Sequence, residues 1–450
     1  MSKLNEDILF LIFEEFQDDS KSLFSCLMVN RLWCETVVPV LWRNPWSYSS
    51  INYSNRSCLF SIIIYYLFDD IKELQGIKSF LSMRPLLFDY LSFCRSINVC
   101  TINEIICTGT SLSNNRLIIQ QKFYGLLMRK CPELKYFDMR SISNSFPEDK
   151  TRLETICELN CDTSIDSIYF DELSRFCQHI QRFIIVNNRN PLRGIIKLIE
   201  VQKNLKYFEW ENDRSGEGPY ELVFRALEKK ANNLNYLKLF IGCVKDFEYT
   251  LLQKILPKFH KLKTLVIDVI GNDKSRFPIV PHHLENLSIQ RNSLNVLSSI
   301  IENSGGHLKK IAFRPYVLCK SDDNFNNFIR KVYENCPSIE YLTISFSPLE
   351  ENFTEFEKLL KICKNLKSLL LDINQPTCGK NWKYGGKLLR LLIKSAPTNL
   401  KEIRIHNGYS FSFNSLKKFL GKWKDRPALS ILIFDLAEYL YGGVLYKSNQ

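Results

Sequence analysis

No apolar run in this sequence is long enough to cross a membrane. The longest, residues 8–13 and 62–68, fall far short of the roughly 20 residues that a bilayer span needs. Acidic Glu6, Asp7, Glu14 and Glu15 flank the first run, where a secretory leader would carry basic residues and a small-residue cleavage site. The expectation is a chain that stays inside the cell, in cytoplasm, nucleus or both, without a membrane partner. Cysteine is plentiful at 15 residues, but the number is odd and no Cys-x-x-Cys pair occurs, which argues against a disulfide framework. The tightest pair, Cys157 and Cys161, has no histidine beside it, which argues against zinc. The stretch SGEGPY at 215–220 lacks the Lys-Ser/Thr or GxGxxG continuation of a phosphate loop, and no Gly-x-Ser-x-Gly elbow is present. With no residue set for bond chemistry, no enzyme activity, no cofactor and no metal are expected.

What is present is repetition. With 45% hydrophobic and 24% charged residues, the 450-residue chain is globular in composition and long enough for two domains or one extended array. Four cysteines share a context, each three positions before an aliphatic residue: Cys131 before Leu134, Cys177 before Ile180, Cys336 before Ile339 and Cys363 before Leu366. From those positions the pattern aliphatic-x-x-apolar-x-apolar recurs at Leu134, Ile180, Leu205, Leu234, Leu262, Leu284, Leu308, Ile339, Leu366, Leu400 and Leu429. Spacings run from 22 to 34 residues apart from one gap of 46, which points to a degenerate copy between Leu153 and Leu159. Within each copy the last two apolar positions alternate as a strand does. The segment after each strand is helical in period, as in ELVFRALEKK from Glu221 and EFEKLLKIC from Glu355. One strand and one helix cannot bury their own apolar faces, whereas stacked copies can. The expected fold is therefore α/β: an irregular solenoid, curved, with strands on its inner surface. It resembles leucine-rich repeats, although that family's inward asparagine occurs only at Asn188, Asn292 and Asn374.

The N-terminus reads differently. In residues 6–16 a helical stripe holds Ile8, Leu9, Ile12, Phe13 and Phe16, yet Phe10 and Leu11 fall outside it, so this helix is apolar on more than one side. A second helix is expected from Ser20, carrying Leu23, Phe24, Leu27 and Met28. A third is expected from Asn30, carrying Leu32, Trp33 and Val37 and stopping at Pro39. Three helices in about 40 residues are expected to lack a sufficient core of their own. Leu4, Ile8, Leu9, Ile12, Phe13, Leu27, Val29, Leu32, Trp33, Leu41 and Trp42, in this order and spacing, resemble the F-box. That resemblance implies docking of these residues on the Skp-type adaptor of a cullin–RING ubiquitin ligase. Two positions depart from the family: Asn5 stands where proline is usual and Asn30 where cysteine is common. Asparagine caps a helix, and Glu6 and Asp7 suit its positive end, so the helix start is kept by other chemistry. The plain alternative is a helical cap on the solenoid, but a cap is polar outside, and Phe10 and Leu11 are not.

An F-box followed by leucine-rich repeats resembles a substrate receptor, with residues 1–47 as the F-box, 48–120 as bridging helices and the start of the solenoid, and 121–450 as repeats. The resemblance implies a non-catalytic subunit that holds an unknown target protein on its repeats while the adaptor and cullin core bring the ligase. On the strands, the positions flanking the buried pair offer Tyr136, Asp138, Arg140, Arg182, Tyr207, Glu209, Glu211, Tyr236 and Lys238 as target-binding candidates; ordinary exposed strand residues would look the same. Net charge is +12, and residues 380–426 hold twelve Lys/Arg against Glu402 and Asp425. Lys387, Arg390 and Lys394 recur at helical spacing opposite Leu388, Leu389, Leu391 and Leu392, which reads as the solvated side of a helix; nucleic acid is not expected. The alternative is a repeat scaffold with no ubiquitin role that binds an acidic protein or nucleic acid through this basic half. His179, His260, His282, His283 and His307 sit one or two residues before a repeat's first aliphatic position, as turn residues at the strand start.

Overall fold

The computed structural model describes residues 5–46, 53–71, 85–110, 113–140, 142, 153–187, 193–212, 220–243, 246–270, 281–292, 294–315, 325–346, 350–373, 382–406, 411–423, 426 and 429–434. The chain divides into two compact units, Met1–Lys206 and Tyr207–Gln450.

The first unit opens with three short helices, α1 (Glu6–Glu15), α2 (Ser20–Cys26) and α3 (Arg31–Leu41). Each is started by a side chain that accepts an otherwise orphan N–H. Asn5 accepts from Asp7 at 2.7 Å, Asp19 from Ser22 at 3.2 Å and Asn30 from Trp33 at 3.0 Å. Asn5 and Asn30 thus do as caps what the departures from the family pattern required. Helix α3 does not stop at Pro39; it runs through to Leu41. The proline removes one N–H from the last turn, but burial of Val37, Val40 and Leu41 holds that turn in place. Between the helices Leu9, Phe13, Leu23, Val37, Val40 and Leu41 are buried together, with Phe10, Cys26, Leu27, Trp33 and Trp42 packed around them. Phe13 and Trp33 meet edge to face at 5.3 Å.

After α4 (Tyr53–Ile71) and α5 (Tyr90–Phe93) the repeats begin: β1 (Ser96–Asn98), α6 (Val99–Gly109), α7 (Ser113–Lys130), β2 (Tyr136–Asp138), a 3-10 turn (Leu153–Thr155), β3 (Glu158–Asp162), α8 (Ser167–Phe176), β4 (Arg182–Asn187) and α9 (Arg193–Val201). Strands β1 to β4 pair in parallel and in chain order. The helical bundle is fastened to the first of them. Arg95 N–H donates to the Arg43 carbonyl at 2.8 Å, the Ser96 hydroxyl donates to Asn44 at 2.8 Å, and the Trp46 indole N–H donates to the Ser96 carbonyl at 2.8 Å. Trp42 packs on Tyr90 with ring centroids 4.4 Å apart.

The second unit contains β5 (Tyr207–Asn212), α10 (Tyr220–Glu228), β6 (Tyr236–Cys243), α11 (Asp246–Ile255), β7 (Thr264–Ile270), β8 (Asn286–Asn292), α12 (Leu294–Asn303), β9 (Lys310–Pro315), α13 (Phe325–Asn335), β10 (Tyr341–Phe346), α14 (Glu350–Ile362), β11 (Ser368–Ile373), α15 (Trp382–Ser395), β12 (Glu402–His406), α16 (Phe413–Trp423) and β13 (Ser430–Phe434). Its strands also pair in parallel, each with the next in sequence. Fold class is therefore α/β, a repeat solenoid of parallel strands with helical returns. At the start of each strand one carbonyl accepts two consecutive N–H groups of the next repeat, as Lys263 does from Glu285 and Asn286, both at 2.9 Å. The motif repeats at Asn235, Glu285, Lys309, Glu340 and Lys367 and fixes the register between copies.

The degenerate copy is found at Ile156, whose pattern continues to Leu159 and Cys161, all fully buried. A further copy precedes the first one expected: Cys94, Ile97 and Val99 fill the same three buried positions around β1. At the other end the register differs by one residue. Ile431 and Ile433 pair with Ile403 and Ile405, so Leu429 is not the first position of the last copy, and Leu432 faces outward. Of the family asparagines, Asn292 ends β8, whereas Asn188 and Asn374 lie outside the described residues.

Helices α8 and α9 cross closely at Gly194. A Cβ there would stand 2.3 Å from the Ser167 carbonyl oxygen and 2.8 Å from Phe170 Cβ. Gly421 in α16 has nothing within 4 Å of its Cβ position. Gly194→Ala is therefore expected to lower stability by about 1–3 kcal/mol, and Gly421→Ala to raise it by about 0.5–1 kcal/mol. Denaturant unfolding of the two variants checks both signs.

Candidate docking surfaces

Two surfaces carry the candidate residues, one on the N-terminal helices and one on the strands. Helix α1 is apolar on two adjoining sides. Leu9 and Phe13, one turn apart, enter the bundle core; Ile8, Leu11, Ile12 and Phe16, at spacings of three and four, point to solvent. Phe10 is half-buried under the Arg43 guanidinium, 5.4 Å from its ring centre, and Arg43 also pairs with Glu14 at 2.6 Å. Phe24, Met28, Val29 and Leu32 add to the exposed set, Met28 at 87% exposure and Leu11 at 62%.

The adaptor-docking candidates thus separate by position. Ile8, Ile12, Val29 and Leu32 are open to a partner. Leu9, Phe13 and Leu41 are inside the bundle core, and Leu27, Trp33 and Trp42 are half-buried against it. Leu4 lies outside the described residues. The candidate set leaves out Leu11, Phe16, Phe24 and Met28, which are exposed. The available signal was α1 itself: an apolar stripe wider than one buried face requires some of its members to face outward.

On the strand face of the first unit, Tyr136 is exposed, and Arg140 grips the buried carboxylate of Asp138 with two hydrogen bonds of 2.9 and 2.5 Å. Arg182 lies 3.6 Å from Glu158, whose carboxyl burial pushes above its ordinary range against the pull of that guanidinium. In the second unit the register places Tyr207 opposite Tyr236 and Glu209 opposite Lys238. The two tyrosine rings stack 4.0 Å apart. Lys238 donates to Glu209 and, at 2.8 Å, to Glu211, while the Tyr207 hydroxyl donates to Glu209 at 2.6 Å. Burial opposes ionisation of Glu209, but its hydrogen bonds from Lys238 and Tyr207 outweigh burial and hold it below the usual carboxylate range. Lys238 is raised, its two carboxylate partners outweighing its own burial. The charged candidates of this face are thus tied to one another, and the stacked tyrosine pair is its aromatic feature.

The repeat cysteines are buried thiols: desolvation pushes Cys336 up to about 11 and Cys177 and Cys363 up to about 12. Among the described residues, no group of three or more His, Cys, Asp or Glu could hold a metal ion, and no helix is long and apolar enough to cross a membrane. In the basic segment, Lys387 pairs with Glu350 on the neighbouring helix and lies 4.5 Å over the Phe353 ring. Lys394 pairs with Glu357 at 3.0 Å, and Arg426 donates to the carbonyls of Ile393 and Ala396. Lys387 and Lys394 are thus paired with carboxylates of the adjacent repeat.

No family model matches the chain, and no curated protein matches it. Three solved structures resemble it in backbone. TLR13 in its complex with ssRNA13 is 17% identical at a TM-score of 0.41 over 68% of this chain, which spans 40% of the length of TLR13 in that structure. The leucine-rich repeat-containing protein LegL7 from Legionella pneumophila is 13% identical at a TM-score of 0.36, over 67% of this chain and 91% of its own. The yeast Rad7 and Elc1 complex matches at 14% identity and a TM-score of 0.44, covering 96% of this chain and 98% of the other. This likeness concerns the fold alone.

Lys238→Met leaves Glu209 buried without its cation and is expected to cost about 1–3 kcal/mol near neutral pH. Because Glu209 is depressed in the folded chain, its contribution is complete above the unfolded carboxylate value of about 4.3 and is lost as pH falls through the folded value. The stability difference between wild type and variant should therefore shrink near pH 3. Chemical unfolding at the two pH values measures it.

Proposed function

We propose that this chain is the substrate-recognition subunit of an SCF-type ubiquitin ligase. In this reading α1 to α3 form an F-box that docks on a Skp-type adaptor, and through it on the cullin core. The repeat strands hold a target protein, and the chain itself catalyses nothing. The observation that carries the reading is the outward apolar set Ile8, Leu11, Ile12, Phe16, Phe24, Met28, Val29 and Leu32 on helices that already have a core. Such a set is not needed to fold the bundle, and an apolar patch on this scale marks an interaction site. If a partner covers the exposed half of each, each contributes about 1 kcal/mol, so the eight together offset a large part of the cost of association. The resemblance of the residue order to the F-box is what supports a Skp-type adaptor as the partner.

The reading also assigns a role to the hydrogen bonds that join Arg43, Asn44 and Trp46 to Arg95 and Ser96. A receptor has to hold its target at a fixed place relative to the ligase, and these contacts fix the docking helices to the first repeat. The stacked pair Tyr207 and Tyr236 is the proposed anchor for the target, with Glu209 and Lys238 beside it, and Tyr136, Arg140 and Arg182 on the first unit are further candidate contacts.

The test is co-purification of the full chain with a Skp-type adaptor. Leu11→Asp combined with Met28→Asp alters two of the most exposed side chains of the set, at 62% and 87% exposure, so the fold is expected to survive and adaptor binding to fall at least a hundredfold. Trp33→Ala is less informative, because that ring packs on Phe13 and its loss disturbs the bundle core. Undiminished binding in the double variant would contradict the proposed interface. A wild-type chain that ignores the adaptor but retains an acidic protein or nucleic acid would favour a repeat scaffold without a ubiquitin role.

A further inference from the structure

Along the edge of the second unit where β7, β8 and β9 begin, the residue before each strand is charged: Lys263, Glu285 and Lys309. The turns that lead into these strands add His260 and Lys261, then His283, then His307. All seven side chains line one open cleft of about 330 Å³, together with Asn235. Glu285 lies between Lys309 at 3.0 Å and Lys263 at 3.2 Å, and these two ammonium groups hold its carboxyl below the usual range. Among the described residues it is the one carboxylate lining the cleft, against three lysines and three imidazoles. Three lysines less one glutamate give +2 with the imidazoles neutral, and protonating the imidazoles raises this further.

The spacing follows from the repeat. Parallel strands bring equivalent residues of successive copies to about 4.8 Å apart, and the rings of His283 and His307, at equivalent positions, stand 5.7 Å apart. The two imidazoles thus face one cleft from adjacent strands, where their N–H groups and the neighbouring ammonium groups can donate to the oxygens of one anion. A dianion matches the excess charge. Among the described residues the lining holds no Phe, Tyr or Trp on which a nucleobase would stack, and its volume excludes a folded domain.

We propose that this cleft binds a phosphate monoester group, with His283 and His307 bracketing its oxygens and Lys261, Lys263 and Lys309 neutralising its charge. The site shares no residue with the apolar helices or the tyrosine pair, and it stands whether or not the ligase reading does.

Isothermal titration calorimetry on the full chain tests it, with inorganic phosphate, a phosphoserine tripeptide and adenosine 5′-monophosphate as probes. The expected result is one site per chain. Its affinity should drop about tenfold or more in Lys309→Gln and in His283→Gln with His307→Gln, and should be unchanged in Lys401→Gln, which alters the same position before β12, outside the cleft. Lys309→Arg keeps the charge and should retain binding, which separates loss of the site from loss of the fold. Tighter binding of the tripeptide than of the nucleotide supports the site and assigns the phosphate to a protein; the reverse supports the site and assigns it to a small molecule. No heat with any probe, or binding that survives both glutamine variants, overturns the proposal.

Discussion

Each strand-and-helix copy has an apolar face that it cannot bury alone, and the next copy is what covers it. This constraint governs most of the structure. It sets the three-point pattern of buried residues, two on the strand and one before it, and it accounts for cysteine, leucine, isoleucine, phenylalanine and tryptophan exchanging at those points, since each needs only to be apolar. It also requires the backbone ladder at the strand starts, where one carbonyl takes two N–H groups from the following copy. Because the copies are held in register, the same chain position recurs on neighbouring strands, so tyrosine meets tyrosine at 207 and 236 and glutamate meets lysine at 209 and 238. Surface chemistry on the strands is thus a product of periodicity.

The N-terminal helices obey a different rule. They are short, yet they close around Leu9, Phe13, Leu23, Val37, Val40 and Leu41 and still keep a second apolar face in water. Retaining exposed leucine, isoleucine and phenylalanine raises the risk of aggregation, and folding alone does not require it. A stable core beneath an exposed apolar face describes a preformed docking element, one that does not have to order itself on binding. The contacts from Arg43, Asn44 and Trp46 to the first strand extend that rigidity into the repeats.

Much of this was legible in the sequence. The strand pattern located ten of the copies, because burial on a strand leaves a period of two that survives irregular spacing. It failed where a cysteine took a position reserved for an aliphatic residue, at Cys94 and at Cys161, and where two alternations were equally apolar, as in Leu429, Ile431, Leu432 and Ile433. Only pairing with β12 decides that register. On the helices, the wheel showed that α1 is apolar on more than one side, but not which side faces the bundle. Leu9 and Phe13 were grouped with Ile8 and Ile12 because a stripe of one-turn neighbours does not reveal where its partner helix lies. Pro39 looked like a stop because the signal for a helix end is local, whereas the packing of Val40 and Leu41 is not. The cluster of histidines and lysines before β7, β8 and β9 was visible as a register habit, but its convergence on one cleft depends on the strands standing side by side.

The central claim is that α1 to α3 are a docking element for a Skp-type adaptor. Amide hydrogen exchange of the full chain with and without that adaptor tests it most directly. The account predicts new protection concentrated in residues 5–41, with the repeat strands unchanged. Protection that is absent there, or that falls on the strands instead, would contradict it.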